Sequence, residues 1–130
     1  MATTDSGTAA RESGIDRAII ERAADAVGLP VGELCDALVV LHAELIGRHS
    51  EFERPRDYVT VDGTRAYRVP ESRFESLLDS FRFDPAERAA IEYAHTEQAK
   101  LLFASAVRGD DNFDRDEVGV VVGIDTAEQF

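Results

Sequence analysis

Residues 57–70 read DYVTVDGTRAYRVP, two short runs rich in Val, Thr and Tyr on either side of Asp62-Gly63. Asp-Gly suits a two-residue hairpin turn because both central residues need positive φ, which Gly adopts freely and Asp tolerates. The turn dictates a register: Val61 faces Thr64, Val59 faces Ala66, and Tyr58 faces Tyr67 in a cross-strand aromatic pair. Pro70 ends the second run. A two-stranded ribbon is marginal in water, so the hairpin needs another strand. The short apolar run GVVVG (119–123) is the candidate.

Everything else with a period reads as helix. Ile15, Ala18, Ile19, Ala23, Ala26 and Val27 recur at three- and four-residue steps, and Gly28 and Pro30 follow as stop signals. A second helix, from about Val31 to Arg48, carries the stripe Val31, Leu34, Cys35, Leu38, Leu41, His42, Leu45 and Ile46. Its middle, ALVVL, is apolar almost all round and implies a central, buried helix. Phe74, Leu77, Leu78 and Phe81 mark a third. Asp84, Pro85 and Glu87 spell the start of a fourth, with a cap, Pro at the first turn and a capping-box partner; it runs to about Val107 or Arg108. The expected fold is α+β: four helices with a small antiparallel sheet made of the 58–69 hairpin and a 118–124 strand. Residues 1–14, small and polar, read as a disordered tail before one globular domain at 15–130.

Composition bounds the setting. The chain has 130 residues, 44% of them hydrophobic, with 26 acidic against 14 basic residues and a formal net charge of −12. The basic residues are all Arg except Lys100. Acid-rich, Lys-poor surfaces suit concentrated salt, which screens their self-repulsion. The same charge argues against broad nucleic-acid binding, which needs a basic footprint. No run is apolar for long enough to span a membrane, and no export signal is visible. One free cysteine, Cys35, is consistent with a reducing cytoplasm.

Candidate chemistry is sparse. Cys35, His42 and His49 share one face of the second helix at seven-residue spacing, about 10 Å along the axis, too far apart for neighbours to bind one metal. His95 and Gln98 sit within the apolar stripe of the fourth helix. Two helices thus each aim an imidazole at the core, where His42, His95 and Gln98 form either a hydrogen-bonded network or a small-ligand site. Glu92 and His95 make a single E-x-x-H, where a di-iron bundle needs two. Arg88 and His95 share a spacing used by some helical RNases, but that spacing is common by chance. The loop from Asp110 to Asp116 alternates acids like a calcium loop, yet places Arg115 where that loop needs Gly. No metal or cofactor is implied.

Residues 24–34 have the spacing of a helix–turn–helix corner, with the hairpin downstream as a possible wing, but Glu33 and Asp36 stand where base-reading residues belong. The region 48–82 balances seven Arg with seven acids, so an anionic partner would be met there, around Arg65 and Arg68.

The stretches ALVVLHAELIGRH (37–49), DYVTVDGTRAYRVP (57–70) and AHTEQAKLLF (94–103) resemble those of small uncharacterised haloarchaeal protein families. That resemblance brings no activity, cofactor or catalytic residue with it. The leading expectation is a non-enzymatic interaction or regulatory protein of the cytoplasm. It would work through a surface that includes Arg65, Arg68, Tyr67 and Tyr93, with a protein partner or a second copy docking on the hairpin or last strand. A winged-helix-like DNA regulator, and a ligand binder or enzyme using His42 and His95, are the alternatives.

Overall fold

The computed structural model describes residues 13–48, 58–106 and 113–123. Asp62 (φ 49°) and Gly63 (φ 78°) both adopt the positive φ that the tight turn demands. They join β1 (Tyr58–Val61) to β2 (Thr64–Pro70) in the expected register, Tyr58 opposite Tyr67 and Val61 opposite Thr64. The two tyrosine rings stand 5.5 Å apart. The third strand, β3 (Glu117–Gly123), pairs antiparallel with β2, giving the order β1-β2-β3.

Among the described residues four helices accompany the sheet: α1 (Arg17–Val27), α2 (Val31–Arg48), α3 (Glu71–Leu78) and α4 (Pro85–Ser105). The chain is an α+β fold. Gly28, at φ 74°, ends α1 in the left-handed conformation, and the Leu29 N–H reaches back to the Ala24 carbonyl at 2.9 Å. The axis then bends by 117° into α2. Helix α4 starts on a complete capping box. The Glu87 N–H donates to Asp84 Oδ1 at 2.8 Å, and the Asp84 N–H to Glu87 Oε1 at 2.9 Å.

Helix α4 lies across all three strands and also packs on α1, and β3 is buried on both of its faces. Contact is closest at Gly119. A Cβ built there would overlap that of Ala99 and stand 3.2 Å from the His95 carbonyl oxygen. Only glycine lets the strand lie this near the helix backbone.

Three packing expectations are corrected. On α1 the buried face is Ile19, Ile20, Ala23 and Ala24, while Ala18 and Ala26 are exposed. Ile20 offers far more apolar area than an alanine, so its burial turns the helix. Helix α2 is not enclosed all round, because Val40 is 52% exposed. Phe81 lies beyond the end of α3, in the connection to α4, and stacks on Phe83 at 5.0 Å.

Residues 1–12 of the expected tail, 107–108 of the expected fourth helix and Ile124 of the expected last strand lie outside the described residues. Ser13 is buried, and its Oγ accepts from the Ile15 N–H at 3.3 Å. Among the described residues no single helix is long and apolar enough to cross a membrane.

Candidate functional site

Among the described residues strand β3 pairs with β2 on one side only. On an antiparallel strand alternate residues turn both backbone polar groups away from the partner. On the outer side of β3 three such N–H groups meet side chains instead of another strand. Gly119 N–H donates to Thr96 Oγ1 at 3.1 Å, Val121 N–H to His95 Nδ1 at 3.0 Å, and Gly123 N–H to His42 Nε2 at 3.0 Å. Helices α4 and α2 thus supply three acceptors in the i, i+2, i+4 order a fourth strand would offer.

Accepting these bonds settles the tautomers. His95 is unprotonated at Nδ1 and His42 at Nε2, so each neutral ring carries its proton on the other nitrogen. His95 is fully buried, with its ring 5.8 Å from that of Phe74. Burial, and then the nearby His42, lower its pKa to about 3, so the ring is neutral at ordinary pH. Its Nε2 has no hydrogen-bond partner among the described residues.

The other members of the sequence-derived cluster go elsewhere. Gln98 is buried, and its Oε1 accepts from the Asp16 N–H at 2.7 Å, tying α4 to the start of α1. Cys35 is a buried free thiol on α2, and His49 lies outside the described residues. The structure therefore brings His42 and His95 to neighbouring outward positions of one strand and takes Gln98 to another junction. Arg88 is committed to α3, bonding Asp79 at 2.9 Å and the Glu75 carbonyl at 3.2 Å.

The four residues expected on a partner surface also divide. Tyr67 is completely buried; it stands on the middle strand with its side chain on the face opposite the one that meets α4 at Gly119. Arg68 lies over the rings of Phe103 (4.5 Å) and Phe113 (4.9 Å). Arg65 donates to Thr60 Oγ1 at 3.0 Å and lies over Tyr58. Tyr93 is exposed on α4.

Sequence reasoning missed two carboxylate groupings. Glu71 and Glu75 of α3 meet Glu92 of α4, with ligand atoms within 4.8 Å of one another. Glu92 is pushed up to about 7 by burial, by a hydrogen bond with Glu71 and by the charges of Glu71 and Glu75. Glu33 of α2 meets Asp84 and Glu87 at the start of α4. Its carboxyl is raised by a hydrogen bond with Glu87, by desolvation and by the charges of Glu87 and Asp84. The i, i+4 pair Glu71/Glu75 was visible as one helix face; its meeting with Glu92 depends on how α3 packs on α4.

The three large hydrophobic residues exposed among those described, Val40, Tyr93 and Leu101, each line a separate cleft. Val40 lies in a groove of about 380 Å³ between α2 and the α3–α4 connection. Tyr93 lies in one of about 520 Å³ bordered by the end of α1 and the start of β3. Leu101 lies in one of about 390 Å³ beside the hairpin turn. Neither imidazole lines any of the three.

No curated protein and no solved structure matches the chain. A family does, over residues 13–124, from the buried Ser13 to just past the last strand. The matched span takes in all four helices and three strands named above and the three side chains that close the sheet's edge, and the chain belongs to the family described as a domain of unknown function, DUF8048.

Proposed function

We propose that this chain is a small, non-enzymatic interaction or regulatory protein that works through surface clefts holding exposed apolar side chains. One observation carries the reading: Val40, Tyr93 and Leu101 each lie in a cleft of a few hundred cubic ångströms. Exposed apolar residues scattered singly are ordinary, but set in a concave surface with a polar rim they mark contact sites. The histidines support it from the other side, since His42 and His95 are sealed and each has a nitrogen bonded to backbone. The net charge of −12 with a single lysine favours a cytoplasm of high salt content.

A DNA-binding reading draws on the α1–α2 corner and the hairpin after it. The exposed face of α2 presents Glu33, Asp36 and Glu44, which would meet phosphates with like charge.

The test is a photo-crosslinking amino acid placed at position 40, at position 93 and, as a control, at position 21, with irradiation of living cells of the source organism. Discrete adducts of one recurring mass from position 40 or 93, absent from 21, are expected. The monomer alone at both would overturn the reading.

A further inference from the structure

The groove beside Val40 differs from the other two clefts in its lining and its charge. Its apolar wall is Ala37 and Val40 of α2 with Phe81 and Phe83 of the α3–α4 connection. The two phenylalanines stack at 5.0 Å with their planes 16° apart, so they line the groove as one apolar unit. Such a wall, with an aliphatic side chain 52% exposed opposite it, receives a side chain from outside.

The rim is acidic. Glu33, Asp36 and Glu87 line the groove, with Arg82 as its only basic member. Asp84 adds its carboxylate to Glu33 and Glu87, all three within 4.8 Å. Asp84 and Glu87 each accept a backbone N–H in the capping box.

Resting on the interaction reading above, we propose that this groove is the docking site for a basic amphipathic helix of a partner protein. The partner's aliphatic or aromatic side chain packs against Phe81, Phe83 and Val40. A flanking Lys or Arg sits on the Glu33–Asp84–Glu87 carboxylates. Charge complementarity selects this occupant: an ammonium or guanidinium brings positive charge and further donors to three carboxylates gathered within 4.8 Å of one another. A helix with apolar anchors at three- and four-residue spacing and basic flanks is the element that offers both at once.

The test uses the full chain and a fluorescein-labelled helical peptide of about sixteen residues, leucines on one face and lysines on the other, followed by fluorescence anisotropy. Saturable one-to-one binding is expected, weakened roughly tenfold or more by Val40→Asp and by Glu33→Lys, and less than about twofold by Glu21→Lys, which changes net charge equally. Affinity should also fall as pH drops through the range where Glu33 takes up its proton. Val40 and Glu33 are exposed, so both variants should keep the parent circular dichroism spectrum.

Equal losses in Glu33→Lys and Glu21→Lys would mean attraction by net charge alone, and would overturn the assignment. So would unchanged binding by Val40→Asp, or no binding by the parent. If the peptide fails while crosslinks from position 93 persist, the groove assignment falls and the interaction reading stands. If no crosslink forms at either position, that reading falls.

Discussion

His95 and Val121 are joined across the interface of helix and sheet: Nδ1 of the buried imidazole accepts the outward N–H of the strand at 3.0 Å. With His42 on Gly123 and Thr96 on Gly119, three side chains occupy the side of β3 where a fourth strand would lie. The histidines that the sequence offers as either a hydrogen-bonded network or a small-ligand site here accept backbone N–H groups, placed by two helices on alternate residues of one strand.

Replacing His95 by Leu keeps the volume nearly constant and leaves the Val121 N–H buried without an acceptor. A loss of about 1–3 kcal/mol is expected, the usual cost of an orphaned buried donor, with about 1 kcal/mol for Thr96→Val. Urea unfolding monitored by circular dichroism measures both. Hydrogen exchange should show the Val121 amide protected in the parent and exposed to faster exchange in His95→Leu.

Acid should weaken the fold through the same imidazole. Its folded pKa of about 3 lies well below the ordinary histidine value of 6.5, so between the two the unfolded chain binds a proton that the folded chain refuses. Stability then rises with pH across that window. From about pH 7 to about pH 4.5 this one group should cost about 2–3 kcal/mol, and the penalty is complete once pH falls below the folded value. Urea midpoints across that range for the parent and for His95→Gln check it; the variant's slope should be shallower.

Glu92 acts in the opposite sense. Its folded pKa is raised to about 7 from 4.5 by burial and by Glu71 and Glu75. The folded state therefore holds a proton that the unfolded chain has lost, and its contribution fades as pH rises from about 4.5 through about 7. Glu92→Gln, which imitates the protonated acid, should raise the thermal midpoint at pH 8 and change it little at pH 5. A thermal scan at each pH decides.

Gly119→Ala should be far more damaging than an alanine in a strand normally is. The new methyl overlaps Ala99 and crowds the His95 carbonyl, both parts of a packed helix, and overpacking of this kind costs about 1–3 kcal/mol or more. Chemical unfolding measures the loss, and a paired Ala99→Gly should recover part of it.

The hairpin was legible to the residue because Asp62-Gly63 allows one tight turn, and a two-residue turn leaves one register. The start of α4 was equally plain, because Asp84, Pro85 and Glu87 satisfy backbone donors locally. What depends on distant packing was not visible. The rotation of α1 turns on Ile20 outweighing alanines on the opposite side. The burial of Tyr67 depends on what covers its face of the sheet, which no local signal encodes. His42 and His95 were singled out correctly as inward-facing, but their partners are backbone groups, and amide groups leave no mark in side-chain patterning. The acidic groupings were missed because each joins residues of different helices.

The closed edge of β3 bears on how an acidic chain would self-associate in concentrated salt. Like-charge repulsion is the ordinary guard of an acidic protein against self-association, and concentrated electrolyte removes it while strengthening apolar attraction. An open strand edge would then become a seed for growth, each chain templating the next. Thr96, His95 and His42 occupy three of the donors that such growth would use. Being neutral acceptors inside the fold, they keep working however much salt the solvent holds.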